Sequence, residues 1–312
     1  MTTENKSTHS KRILLLGSTS FTGSHTLNSL KDRYSFRTVG RQADSVDRQF
    51  DVYNDDISAL SAELDWADVV VNCFSNGDVD SCEVNPQPSA QLNLDFPIAL
   101  CDFQKKSDFH LVHFSSNAVY DGDNPLYSET SGHHPINTYG RLKSEADNYL
   151  KDNSAKLTLL RPITMYGQLL GEQRHNPFSF FFDRLQNNQD IVAVNDVLVN
   201  MLHVDVLTQC IEKVIDNSIY DEFNISGDDI VSRFDFVSEI KRHIPSSSSI
   251  VTETDSSGFK TAARRPLDTS FDNQKMKSLL GVHPISLSNS IEALVADAIS
   301  KSLIEDDIRK AA

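Results

Sequence analysis

Two side chains one helical turn apart, Tyr139 and Lys143, are the most chemically suggestive pair in this 312-residue sequence. They fall in Asn137-Thr138-Tyr139-Gly140-Arg141-Leu142-Lys143, at the head of an amphipathic stretch. The i, i+4 spacing puts both on one face of a predicted helix. A tyrosine with a pKa of about 10 is a poor acid or base at neutral pH. A cation one turn away favours the phenolate and lowers that value. Tyr139 can then exchange a proton with a carbonyl or alcohol oxygen as hydride moves, while Lys143 holds a nicotinamide ribose. The spacing alone often arises by chance, so its surroundings decide. The preceding apolar run ends in Phe114-Ser115-Ser116-Asn117-Ala118-Val119-Tyr120. The C-terminal end of a strand is where open α/β sheets bind ligands. Ser116 there can share the substrate oxygen with Tyr139 and stabilise charge developing on it.

Such a pair needs a cofactor, and the chain begins with a turn suited to one. The first apolar run, Ile13-Leu14-Leu15-Leu16, leads directly into Gly17-Ser18-Thr19-Ser20-Phe21-Thr22-Gly23. A strand feeding a glycine-bearing turn that opens a helix is the dinucleotide fingerprint in its required context. Gly17 permits the tight turn and Gly23 permits close helix–strand packing. The helix N-terminus offers unpaired N–H groups and a positive dipole end to a pyrophosphate. Ser20 stands where a middle glycine is usual, which loosens the pattern. The second run ends Val39-Gly40-Arg41. An acidic residue in this region would suit the ribose hydroxyls of NAD. Arg41 instead suits a 2′-phosphate, so NADP(H) is preferred over NAD(H). Asp51-Val52 closes a third short run as a wall for the adenine, and Asn72-Cys73-Phe74 ends a later run at the same rim.

The elements that must position these residues show a regular alternation. Apolar runs at Phe36–Val39, Asp68–Asn72, His110–Phe114 and Leu157–Leu160 lack strict alternation, as parallel strands covered on both faces do. Between them lie helical patterns, one carrying Leu92, Phe96, Ala99, Leu100 and Phe103. This predicts an α/β, Rossmann-type, doubly wound parallel sheet. After Arg161 strand signals thin out. Helices are expected over Phe178–Leu185, Val204–Ile215, Phe234–His243 and Ser288–Ser302, a short strand over Glu222–Ser226, and a soft stretch at Pro245–Ser249. The expected division is a disordered tail over 1–10 and a dinucleotide domain over 11–165, to which part of 188–220 returns. A smaller substrate lobe takes 166–187 and 221–312.

Bulk properties exclude several classes. Against 29 Lys+Arg stand 44 Asp+Glu, a formal charge of −15, which disfavours nucleic acid and anionic lipid as partners. Any anionic ligand must be met by local arginines or helix ends. Cys73, Cys82, Cys101 and Cys210 show no C-x-x-C spacing, so neither zinc nor a disulfide scaffold is expected. His133, His134 and His203 lack metal-ligand spacing with acidic partners. No apolar run approaches the roughly 18 residues of a membrane span. The polar first residues lack a signal peptide's apolar core, so a reducing, cytoplasmic setting is expected.

With these residues in order, the chain resembles the extended short-chain dehydrogenase/reductases, and within them the dTDP-4-dehydrorhamnose reductases. The likeness runs through Gly17–Gly23, Asn72, Val79-Asp80-Ser81-Cys82-Glu83, Asn93, Ser115-Ser116, Tyr127-Ser128-Glu129 and Pro135–Lys143. It continues in Arg161-Pro162, Tyr166-Gly167 and Arg264-Arg265-Pro266-Leu267-Asp268. It implies Ser116, Tyr139 and Lys143 as a catalytic triad, and reduction of the 4-keto group of a nucleotide-linked 6-deoxyhexulose by NADPH or NADH. It adds Asn93 and Pro162 to the cofactor site, and Arg264 or Arg265 to the substrate site. Asn117 would join the substrate site beside Ser116. Asn176 either caps the helix that follows it or touches the nucleotide sugar, and Arg174 is a further basic candidate. Phe180-Phe181-Phe182 reads as core. Two positions depart from those reductases: Ser116 replaces their common threonine, and Asn117 their aspartate. Asn117-Ala118 cannot supply the Asp-Glu pair of sugar-nucleotide dehydratases. A nucleotide-sugar epimerase with tightly bound NAD and a non-catalytic regulatory subunit are the alternatives, and a homodimer is common in the superfamily.

Overall fold

The computed structural model describes residues 10–311, with side chains to residue 301. Of the expected tail only Ser10 lies among them; its hydroxyl donates to the Arg33 carbonyl. In chain order the first half runs β1 (Arg12–Leu16), α1 (Phe21–Leu30), β2 (Ser35–Gly40), β3 (Arg48–Gln49), α2 (Ser61–Trp66) and β4 (Val69–Asn72). Then come α3 (Val79–Val84), α4 (Pro86–Ala90), α5 (Phe96–Gln104), β5 (His110–Phe114), α6 (Thr138–Asn153) and β6 (Leu157–Pro162). A π-helical turn, Gln91–Asp95, joins α4 to α5. The second half has β7 (Met165–Tyr166), α7 (Pro177–Gln186), β8 (Ile191–Val194), β9 (Val199–Asn200), β10 (Leu202–His203) and α8 (Val204–Asn217). It ends with β11 (Glu222–Ile225), β12 (Ile230–Val231), α9 (Arg233–Arg242), β13 (Val251–Thr254) and α10 (Leu287–Ala311).

Seven strands form one parallel sheet in the order β11-β6-β5-β4-β1-β2-β3. The all-apolar runs explain why. Ile13 and Leu15 of β1 face one core, with Val69, Val71, Val112, Leu160 and the helices α1 and α8. Leu14 and Leu16 face the other, with Val70, Leu111, Leu100 of α5, Leu64 of α2 and Leu150 of α6. Alternate residues thus bury on opposite faces, and a strand covered on both must be apolar throughout. Each such leucine, removed from water, contributes about 1.5–3 kcal/mol. The strand order reverses between β1 and β4, which leaves a crevice at their carboxyl ends.

A third core joins α7, β8, α9 and α10 through Phe178, Phe181, Phe182, Ile191, Phe236, Ile240 and Leu294. The phenylalanine run thus serves packing, with Phe180 alone of the three exposed. Of residues 188–220, expected in part to return to the dinucleotide domain, α8 returns and β8 does not. Strand β8 pairs with β13, away from the main sheet. The chain returns through α8, which packs on α1, and then β11, which pairs with β6. Glu222–Ile225, assigned from the sequence to the smaller lobe, is therefore the edge of the large sheet. Its alternating Phe223 and Ile225 specify a strand but not which sheet receives it. The serine stretch at 245–249 is held, since Ser247 Oγ donates to the Leu185 carbonyl at 2.6 Å and Ser249 is buried.

Strands β5, β6 and β11 and helix α6 meet in a buried polar knot. Arg161 of β6, wholly buried, donates to Asn224 Oδ1 at 2.7 Å, Glu222 Oε2 at 3.2 Å and Asp147 Oδ2 at 3.4 Å. Asp147 also accepts from the Ser115 hydroxyl. A buried ion pair costs most when one partner is lost. Arg161→Met is expected to lower stability by about 3–5 kcal/mol, with Arg161→Met/Asp147→Leu recovering part of it. Urea titration measures both. A loss below about 1 kcal/mol in the single variant would show that the knot does not hold these elements together.

Candidate active site

The turn after β1 is built by backbone contact. Gly17 has a φ of +76° and its N–H donates to the Val39 carbonyl at 2.8 Å. Ser20 caps α1, its hydroxyl accepting from Gly23 N at 3.1 Å. A side chain at Gly23 would put its Cβ 2.2 Å from the Gly17 carbonyl oxygen, so only glycine lets α1 seat this close. Ser18 Oγ, beside this turn, is buried and has no partner among the described residues. No acidic residue occupies the first turn of α1. An orphaned hydroxyl, a helix N-terminus with no acidic residue in its first turn and a glycine cradle together fit a dinucleotide's pyrophosphate. Gln173, which no sequence pattern indicated, lies across the turn. Its amide donates to Thr19 O at 3.1 Å, Ser20 O at 3.3 Å and Ser24 Oγ at 2.7 Å.

Along the rim, Arg41 follows β2, exposed, and its guanidinium makes no hydrogen bond or ion pair among the described residues. Asp51 and Val52 follow β3, but the Asp51 carboxylate is spent on its own turn, accepting from Tyr53 N at 3.1 Å and Asn54 Nδ2 at 2.8 Å. Asn72 is likewise internal, joined to His113 Nδ1 and accepting from Phe74 N at 3.1 Å. Cys73 and Phe74 are half-buried where β4 ends, and Pro162 is buried where β6 ends. The expectation that Asn93 touches a cofactor needs correction. Asn93 is 0% exposed, and its amide is used up within the loop after β4. Its Oδ1 accepts from Ser75 Oγ at 2.8 Å and Asn76 N at 3.1 Å, while its Nδ2 donates to Asn76 O at 3.0 Å.

Tyr139 and Lys143 lie on the first turns of α6, both buried. Two groups fix where that helix starts. Asn137 Oδ1 accepts from Gly140 N at 2.8 Å, and Glu83 of α3 accepts from Thr138 N at 2.9 Å. Gly140 is required by contact, since a Cβ there would stand 1.9 Å from the Ala118 carbonyl oxygen. Helix α6 is thereby pressed against the turn that carries Ser116. Ser116 Oγ accepts from Ala118 N at 3.2 Å and donates to Asn117 Oδ1 at 3.3 Å. Lys143 Nζ donates to the Phe114 carbonyl at 2.9 Å, which ties the ammonium to the end of β5. Burial lowers Lys143 to about 8, opposed by the Asp147 carboxylate one turn on. Burial also raises the Tyr139 phenol above its ordinary value, opposed by the hydroxyls of Ser116 and Ser75 beside it. The phenol is thus held protonated at neutral pH, and the lowering expected from a lysine one turn away does not appear, because burial outweighs it.

The opposite wall comes from the smaller lobe. Asn117 Nδ2 donates to Thr269 Oγ1 at 2.7 Å, and Asn137 Nδ2 to the Arg264 carbonyl at 3.0 Å. The Arg265 guanidinium pairs with Asp80 at 2.9 Å and that of Arg174 with Asp78 at 3.2 Å. Arg264 is exposed. The segment 263–269 thus meets α3 and the head of α6, bringing both arginines to the site's edge. Asn176 is the cap of α7. Its Oδ1 accepts from Phe178 N at 2.9 Å and Ser179 N at 3.3 Å, and its Nδ2 donates to Gly167 O at 2.8 Å. With its amide so engaged, the cap replaces the alternative of a nucleotide-sugar contact. Glu83, Thr269 and Ser75 are site residues that periodicity could not reveal, because each arrives from a loop or a neighbouring element.

The model of the RmlD substrate binding domain family matches residues 11–300. The chain is 24% identical over 267 residues to dTDP-4-dehydrorhamnose reductase of Aggregatibacter actinomycetemcomitans, covering 80% of this chain and 88% of that protein. It is 27% identical over 219 residues to methionine adenosyltransferase 2 subunit beta of Bos taurus, covering 68% of this chain and only 64% of that subunit. The crystal structure of dTDP-4-dehydrorhamnose reductase from Bacillus anthracis in complex with NADP superposes with a TM-score of 0.82 at 21% identity, covering 93% of this chain and 100% of that one. With the fold, the glycine turn and the family match in agreement, the chain belongs to the RmlD substrate-binding domain family.

Proposed function

We propose that this chain is an NADPH-dependent reductase of the 4-keto group of a nucleotide-linked 6-deoxyhexulose. The observation that carries the reading is the convergence of Ser116, Tyr139 and Lys143 beside the crevice of a sheet whose glycine turn fits a dinucleotide. Supporting it are relatives named as dTDP-4-dehydrorhamnose reductases, one of them crystallised with NADP. Gly17 to Gly23 and the head of α1 would hold the pyrophosphate, Arg41 the 2′-phosphate, and Lys143 the nicotinamide ribose. When bound, the nicotinamide supplies the hydride. Tyr139 gives its phenolic proton to the substrate oxygen as negative charge gathers there, and Ser116 donates a hydrogen bond to the same oxygen. The Lys143 ammonium steadies the phenolate left behind. Arg264, Arg265 and Arg174 are the cations available to a diphosphate in an otherwise acidic protein. Asn117, an amide engaged by Thr269, cannot serve as an acid in dehydration. The free state of all four cysteines suits the cytoplasm.

A second reading draws on the match to methionine adenosyltransferase 2 subunit beta: the fold as a subunit of another enzyme, without catalysis. Stoichiometric co-purification with a partner enzyme, together with absence of turnover on any 4-keto nucleotide sugar, would favour it.

Three outcomes test the reductase. Tyr139→Phe should abolish NADPH oxidation on a panel of 4-keto nucleotide sugars while NADPH still binds, as seen by cofactor fluorescence; ordinary turnover would remove the proton-transfer role. Because burial lowers Lys143 to about 8, turnover should fall as pH rises through that value and the cation is lost. Lys143→Arg, which cannot titrate in this range, should flatten that limb of the pH profile. Arg41→Glu should raise the KM for NADPH roughly tenfold or more and leave that for NADH unchanged, since a charged hydrogen bond contributes about 1.5–3 kcal/mol. Equal effects on both cofactors would place the 2′-phosphate elsewhere.

A further inference from the structure

A single side chain joins the head of α6 to the segment 263–269. Asn137 caps α6 two residues before Tyr139 and is 5% exposed. Its Oδ1 accepts from Gly140 N at 2.8 Å. A backbone N–H can only donate, so the amide oxygen must face it and Nδ2 is turned to the other side. There Nδ2 donates to the Arg264 carbonyl at 3.0 Å. One planar group thus fixes both where the tyrosine-bearing helix starts and where the backbone of Arg264 lies.

The far end of the same segment is tied to the other hydroxyl of the site. Asn117, next to Ser116, donates from Nδ2 to Thr269 Oγ1 at 2.7 Å. Between these two amides the chain is braced. Leu198 N donates to the Leu267 carbonyl at 2.7 Å, and Thr269 N to the Leu198 carbonyl at 3.3 Å. Pro266 lies so close to Gly122 that a Cβ there would stand 2.8 Å from the proline Cβ. Asp80 of α3 holds the near end independently, accepting from Ala263 N at 2.9 Å and pairing with Arg265. Loss of the bond from Asn137 to Arg264 would therefore leave the segment attached to α3 but free to shift against α6.

We propose, resting on the reductase reading above, that Asn137 is a positioning residue for proton transfer, its amide holding the substrate-bearing segment 263–269 in register with Tyr139. That segment carries Arg264 and Arg265, two of the cations offered to a diphosphate. A substrate held by it meets the phenol only as accurately as segment and helix are held to each other. A misplacement of about 1 Å costs on the order of 100-fold in rate. Attachment without alignment lowers kcat and spares KM. With its amide engaged at both ends and its side chain buried, Asn137 acts through the segment and not by touching the substrate.

The test compares Asn137→Asp and Asn137→Ser in the full chain. Aspartate and serine both cap helices as well as asparagine does. Neither replaces the bond to Arg264: the carboxylate has no proton to give, and the serine side chain is too short to cap and reach the carbonyl together. Both variants should keep a urea midpoint close to the parent's. With saturating NADPH, kcat for a 4-keto nucleotide sugar should fall about tenfold in both, with KM and the NADPH Kd within about twofold. Hydrogen–deuterium exchange within 263–269 should quicken several-fold while that of α6 stays slow. An unchanged kcat, a loss confined to Asn137→Asp, or a loss carried by KM would overturn the proposal. The first makes the bond structural only, and the second reports the added charge. If the parent protein reduces no nucleotide ketone, the reductase reading fails. The exchange measurement then still decides the tie: unaltered exchange in 263–269 overturns it, and faster exchange in both variants sustains it.

Discussion

The buried guanidinium of Arg161 is the interaction on which the site's geometry rests. One side chain joins β6 to β11 through Asn224 and Glu222, and to α6 through Asp147. Asp147 in turn holds Ser115 at the end of β5. Ser116 is the next residue, and Lys143 sits one turn before Asp147 on the same helix face. The distance between the hydroxyl-bearing strand end and the tyrosine-bearing helix is thus set from below by a charge that cannot move without leaving carboxylates unpaired in the interior. It is set from above by Gly140, whose missing side chain lets α6 rest on the Ala118 carbonyl.

Electrostatics divide the molecule in a complementary way. The surface is acidic, with a formal charge of −15. Two cations near the site are balanced: Arg174 by Asp78, Arg265 by Asp80. These pairs are partly exposed, and such pairs contribute little to stability on their own. They keep guanidinium groups oriented at the site's edge at small cost.

What the residues alone reveal follows the range of the interaction concerned. Fully apolar strands, the glycine turn and the Tyr139–Lys143 spacing are local patterns, and each appears in the structure where its period or its chemistry requires. Two-residue strands such as β7 and β10 have no period to read. Asn93 and Asn176 are polar residues at helical turns whose partners come from elsewhere in the chain; whether an amide faces a ligand or a backbone depends on those partners. Gln173 and Thr269 belong to loops, and only folding brings them to the turn after β1 and to Asn117.

The return of the chain into β11 has a consequence for how the molecule is made. A strand from residues 222–225 pairs with β6, while the intervening residues build much of the smaller lobe's core. The Arg161 guanidinium has no Asn224 or Glu222 to meet until that late segment exists. During synthesis the dinucleotide sheet must therefore wait with β6 as an open edge and with Arg161 lacking two of its partners. Contacts so far apart in sequence slow folding and lengthen the time during which a strand edge can pair with another chain. The protein's vulnerability to misassembly is thus greatest before β11 docks.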